Sequence, residues 1–238
     1  MDRIVFKRLS EFWEIVKNNG LKPYAIGLKG SQNYNLSDDE SDYDANLVFI
    51  PTLKQLRNGD KYSFKSDFGE VTCHNIYKFS EICAKGNPQW IEVVNSKYHI
   101  GSMLEWIDSF QVFKKYNLSP QALKGMLMEK VHAFDKLFEG RKHIVEKFGY
   151  NPKQLHHIIR LYDLLKHNVP IYEYHGDERD FMMDVKRGRY PKTKDEAFKM
   201  RDEYVQKINE IYECRKEKYT PIEVDYDELD KIFIEELK

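Results

Sequence analysis

The sequence predicts an α+β protein, with an N-terminal unit of alternating short helices and strands and a mostly helical unit after it. Two observations carry this. In the first hundred residues the apolar pattern switches repeatedly between helical spacing and short apolar runs. From Gly101 onward the helical pattern dominates, punctuated by Pro170 and Pro191. At 238 residues the chain is long enough for one large core or two small ones, and we expect units at 1–110 and 111–238.

The elements follow in order. Leu9, Phe12, Ile15 and Val16 predict a helix over Arg8–Lys17, ended by Asn18-Asn19-Gly20. Pro23–Leu28 is a short apolar strand running into Gly30-Ser31. Asp42–Ile50 is the clearest strand, and Pro51 stops it. Thr52–Arg57 reads as a helix, and Glu70–Ile76 as a strand with Tyr62–Phe64 as a pairing partner. Helical patterns resume over Tyr77–Lys85 and after Pro88. In the second half the expected helices are Ser102–Lys115, Pro120–Phe138, Pro152–His167, Glu178–Lys186, Thr193–Cys214 and Asp225–Leu237.

Composition excludes several classes. Lys plus Arg number 38 against 39 Asp plus Glu, so bulk charge makes no case for nucleic-acid binding. No stretch reads as a membrane span, and Met1-Asp2-Arg3-Ile4 lacks the apolar run of a signal peptide. The three cysteines form no C-x-x-C pair or even framework. Together these predict a cytoplasmic protein.

The segment that carries chemistry is Gly30-Ser31 followed by Asp42-Tyr43-Asp44. Glycine permits close backbone approach to a ligand, and Ser31 offers a hydroxyl and an N–H at the start of a short helix, where anions are favoured. On a strand, Asp42 and Asp44 project from one face while Tyr43 points the other way. Two carboxylates so placed suit a pair of divalent ions engaged with a triphosphate. A third carboxylate is wanted on a neighbouring strand, with Glu70 the candidate and Asp67 the runner-up. His74 shares a strand face with Glu70, as a nucleotide contact or a packed histidine.

In the second half, Lys153, His157 and Arg160 fall on one helical stripe, which a triphosphate tail or plain solvent would suit. Asn151 and Pro152 suit the start of that helix. Lys85-Gly86-Asn87-Pro88 reads as a tight turn between helices, with Gly86 as cap. Lys186-Arg187-Gly188-Arg189-Tyr190 is the densest basic run, either a nucleic-acid contact or an exposed loop.

From Gly30-Ser31-Gln32-Asn33-Tyr34 through Ser41-Asp42-Tyr43-Asp44, the chain resembles the DNA polymerase β-type nucleotidyltransferase superfamily. It is most similar to a branch of small predicted nucleotidyltransferases of bacteria and phages. Lys85-Gly86-Asn87-Pro88 with Glu92, and Gly149-Tyr150-Asn151-Pro152-Lys153 with His157-Ile158-Ile159-Arg160-Leu161, resemble two further segments of that branch. The resemblance implies a mixed sheet flanked by helices, with Asp42, Asp44 and Glu70 as metal ligands. It also implies Mg²⁺ (or Mn²⁺) as cofactor and an NTP, ATP favoured, as donor. Glu70 stands where Asp is commoner, and Asn151-Pro152 replaces an Asp-Thr-type pair.

Two functions are therefore expected. The first is transfer of NMP from an NTP to an acceptor hydroxyl on RNA (including tRNA) or protein, releasing pyrophosphate. Asp42, Asp44 and Glu70 would be catalytic, and Gly30, Ser31, Lys153, His157 and Arg160 would bind nucleotide. The second is a non-catalytic nucleotide-binding or interaction module that keeps the fold.

Overall fold

The computed structural model of the protein describes residues 2–58, 61–101 and 110–237. It is an α+β structure that packs as two compact units. One comprises Met1–Asn33, Ser37–Asn117 and Pro221–Lys238, and the other Tyr34–Leu36 and Leu118–Thr220.

The first unit opens with α1 (Asp2–Asn18), which buries Val5, Leu9, Phe12 and Val16 along one stripe. The helix starts six residues earlier than the sequence predicts. Val5 extends the stripe, and Asp2 stands in the first turn, where a carboxylate suits the helix dipole. Tyr98 donates its hydroxyl to the same carboxylate at 2.7 Å. The chain continues through β1 (Lys22–Lys29), β2 (Asp44–Ile50), α2 (Leu53–Asn58), β3 (Tyr62–Ser66) and β4 (Gly69–Asn75). It then forms α3 (Ile76–Ala84), α4 (Pro88–Asn95) and β5 (His99–Gly101), a short strand the sequence analysis did not anticipate. Asn75 caps α3 by accepting the Lys78 N–H, so strand gives way to helix one residue before the expected boundary. The helix expected over Ser102–Lys115 falls mainly on 102–109, outside the described residues. Its described end holds a 3-10 turn over Gln111–Phe113.

The sheet is mixed, with order β3-β4-β2-β1-β5. β2 runs antiparallel to β1 and parallel to β4, while β3–β4 and β1–β5 are antiparallel pairs. Side-chain alternation gives it two faces. Ile26, Leu28, Ala45, Leu47, Phe49, Val71 and Cys73 pack with the apolar stripe of α1. Each fully buried leucine or phenylalanine there stabilises by about 1.5–3 kcal/mol. Asp44, Asn46, Glu70, Thr72 and His74 occupy the opposite face.

The second unit gathers α5 (Pro120–His132), α6 (Lys142–Phe148), α7 (Pro152–His167), α8 (Gly176–Lys186) and α9 (Lys194–Arg215). Its core includes Leu123, Leu127, Phe134, Tyr150, Leu155, Ile158 and Ile208. The helix expected over Pro120–Phe138 ends at His132, because Phe134 turns into the core and stacks on Tyr150 at 5.4 Å. Asn151 with Pro152 starts α7, and a Thr193–Glu196 capping box starts α9. The last helix, α10 (Tyr226–Glu236), returns to the first unit. There Tyr77 donates to Asp230 at 2.7 Å, Lys115 pairs with Glu228 at 2.7 Å, and Lys22 pairs with Glu236 at 2.9 Å. Among the described residues no helix is long and apolar enough to cross a membrane.

Candidate active site

β1 ends at Lys29, paired with Asp44 at the start of β2. Antiparallel pairing therefore brings the two ends of the Gly-Ser…Asp-x-Asp segment to one end of the sheet. Gly30 has φ +96°, a left-handed conformation that glycine adopts without strain. A 3-10 turn over Ser31–Tyr34 follows, and within it Gln32 donates its amide to the Asp42 carbonyl at 2.9 Å. The turn is thus tied directly to the first aspartate of the pair.

What holds the turn from below is Glu92 on α4, only 5% exposed. Its Oε1 accepts the Gly30 N–H at 2.6 Å and the Asn33 Nδ2 at 3.0 Å. Asn33 also donates to the Leu28 carbonyl at 2.8 Å and accepts from the Ser96 hydroxyl at 2.7 Å. The Lys85–Pro88 turn makes this arrangement possible. Gly86 closes α3, Asn87 caps α4 by accepting the Gln89 N–H, and Pro88 takes the first helical position. The Gly30 N–H is engaged by a protein carboxylate, and Ser31 beside it is half-buried.

Asp42 is exposed and precedes β2, whereas the sequence places it inside the strand. The tip of the β3–β4 hairpin presses against this point. The Tyr43 N–H donates to the Phe68 carbonyl at 2.8 Å, and a Cβ on Gly69 would stand 2.2 Å from the Tyr43 oxygen. Asp44 is half-buried and its Oδ1 accepts the Glu70 N–H at 3.2 Å. Glu70 lies beside Asp44 on the parallel neighbour, but its carboxylate is bonded to the Ser63 hydroxyl on β3, the far side of β4. Asp67, the other candidate, is exposed in the hairpin turn. Among the described residues no group of three His, Cys, Asp or Glu side chains converges to hold a metal ion. Two aspartate carboxylates still fit Mg²⁺, which is commonly bound through one or two carboxylates and completes its shell with water and phosphate oxygens.

His74 is a packed strand histidine. Its ring lies 4.8 Å from that of Trp90, and burial, helped by Lys61 and Lys78, lowers its pKa to about 4. In the second unit, Lys153 on α7 is exposed, and the Arg160 guanidinium lies 3.4 Å above the Tyr34 ring. His157 does not add a charge to that stripe, because burial and the nearby Arg160 hold its pKa well below the usual imidazole range. In the basic run, Lys186 donates to the Leu36 carbonyl at 3.0 Å and Arg189 pairs with Asp184 at 3.6 Å. Sequence reasoning singled out neither Gln32, Ser63 nor Asn46. The one signal for Asn46 was an amide inside an otherwise apolar strand, Ala45–Ile50.

No family model and no curated protein matches the chain. Among solved structures, the chain is similar to a nucleotidyltransferase-like protein from Exiguobacterium sibiricum 255-15. The two are 10% identical, the match covers 87% of this chain and 74% of that one, and the TM-score is 0.31. At that score the overlap of the two structures is loose.

Proposed function

We propose that the chain is a metal-dependent nucleotidyltransferase, moving NMP from an NTP, ATP by preference, to an acceptor hydroxyl on RNA or protein. The observation that supports this most is the meeting of the Gly30-Ser31 turn with Asp42 and Asp44 at one sheet end, joined by the Gln32–Asp42 hydrogen bond.

Asp42 and Asp44 are the residues that would hold Mg²⁺ or Mn²⁺. Such an ion neutralises phosphate charge and eases deprotonation of a hydroxyl. Ser31 receives a phosphate oxygen, with the turn kept in shape by Glu92. Glu70, once off Ser63, takes the proton of the acceptor hydroxyl. The acceptor oxygen bonds to the α-phosphorus, the bond from that phosphorus to the bridging oxygen breaks, and pyrophosphate leaves. Lys153 and Arg160 on α7 are candidate phosphate-binding cations, with His157 a neutral neighbour.

The test is incubation with Mg²⁺, each α-³²P-labelled NTP in turn, total RNA and cell lysate, beside an Asp42→Asn/Asp44→Asn control. Label entering RNA or protein with the unaltered chain alone supports the reading and names the donor. A second reading, nucleotide binding without catalysis, is favoured by the setting of Glu70 on Ser63. It expects Mg²⁺–ATP binding by calorimetry with no transfer to any acceptor.

A further inference from the structure

Asn46 sits one step deeper than Asp44 on the same sheet face. It is 1% exposed, and neither its Oδ1 nor its Nδ2 has a hydrogen-bond partner. Buried polar groups are almost always paired, so an open carboxamide beside a candidate site points to a partner that arrives in another state. Its cross-strand neighbours do not supply one. Gly27 on β1 has no side chain, and Thr72 on β4 makes no bond to it. Two residues of β4 on this face are diagonal to Asn46: His74, whose ring packs on Trp90, and Glu70.

We propose that Asn46 is a positioning residue for Glu70, which has two settings. In the outer one, present here, the carboxylate bonds Ser63 across the hairpin. In the inner one it leaves Ser63, turns toward Asp44, accepts a hydrogen bond from Asn46 Nδ2 and completes the donor set for a divalent cation. Diagonal cross-strand residues stand about 7–8 Å apart, a gap that a glutamate and an asparagine side chain reaching toward each other can close. Two carboxylates brought together repel each other, and a cation between them converts that repulsion into shared coordination. Metal binding and the move from Ser63 to Asn46 are therefore one event. This inference rests on the metal-dependent reading above.

The probe is Mn²⁺ alone, titrated into the full chain and read by the EPR signal of the free ion, with thermal melting of each metal-free variant. Asn46→Leu is expected to weaken Mn²⁺ about tenfold, the size of effect usual for groups that orient metal ligands. The melting temperature of that metal-free variant should be unchanged or raised, since an unbonded amide has been removed. In Glu70→Gln, adding Asn46→Leu should cost no further affinity. Ser63→Ala, which removes the outer setting, should tighten Mn²⁺ several-fold. Unaltered Mn²⁺ affinity in Asn46→Leu, or a loss fully additive with that of Glu70→Gln, overturns the proposal. Should Asn46→Leu fail to fold, unchanged affinity in Ser63→Ala does so. Absence of Mn²⁺ binding to the unaltered chain overturns the metal-dependent reading itself, and this inference with it.

Discussion

The Glu92 carboxylate on α4 accepts the Gly30 N–H at 2.6 Å. This bond joins two segments 62 residues apart and makes the Lys85–Pro88 turn a structural support for the Gly-Ser turn. Glu92→Ala would leave the Gly30 N–H and one of the two N–H groups of the Asn33 amide without their acceptor, the other still meeting the Leu28 carbonyl. Buried donors left open cost about 1–3 kcal/mol each. Urea unfolding should show a loss of about 2–4 kcal/mol for Glu92→Ala and a smaller one for Glu92→Gln, which keeps an acceptor oxygen.

Gly69→Ala tests the hairpin that shapes the acidic end of β2. The new methyl would meet the Tyr43 backbone oxygen at 2.2 Å, and backbone cannot swing aside as a flexible side chain does. We expect a destabilisation of about 3 kcal/mol by chemical denaturation. Mn²⁺ affinity should fall as well, since the displaced Tyr43 carries Asp42 and Asp44 with it. A variant as stable as the parent would show that the hairpin does not bear on this point.

Stability should fall with acid in a window set by His74. Its folded pKa is about 4, below the ordinary 6.5, because burial disfavours the charged ring. As pH drops through 6.5 the unfolded chain takes up a proton that the folded chain refuses until about 4. Stability from this group is thus complete above pH 6.5 and declines below it, by about 1.4 kcal/mol per pH unit. His156 and His157 are shifted in the same direction by burial. Unfolding free energies measured at pH 7 and pH 5 should show the decline, and His74→Phe should make it shallower.

Lys153 and Arg160 should separate in their effects on the fold. Lys153 is exposed, and Lys153→Ala should change stability by less than about 0.5 kcal/mol. Arg160→Lys loses the planar contact with Tyr34 and should cost about 1–2 kcal/mol in thermal or urea unfolding. Calorimetry with Mg²⁺–ATP should show weaker binding in both variants if the two cations meet the triphosphate.

Where one local signal sufficed, the sequence was a good guide. Leu9, Phe12 and Val16 marked the buried stripe of α1, and Asn151-Pro152 marked the start of α7. Alternation along β2 correctly separated Tyr43 from Asp44. What escaped it depends on partners distant in the chain. The expected helix to Phe138 ends early because Phe134 finds Tyr150, and β5 is three residues whose pairing with β1 defines it. Glu70 was legible as a strand-end acid beside Asp44, but its attachment to Ser63 depends on the register of the β3–β4 hairpin. Glu92 stood out only as part of a resemblance, since nothing in its own helix points to Gly30.

The return of α10 to the first unit has a consequence for how the chain is made. Lys22 and Tyr77 wait for Glu236 and Asp230, so the first unit is incomplete until α10 has left the ribosome. Apart from the short segment 34–36, the second unit is contiguous over Leu118–Thr220 and needs no such wait. Synthesis from the N-terminus therefore presents the nascent chain with an early sheet that lacks its closing helix and a later bundle free to finish first.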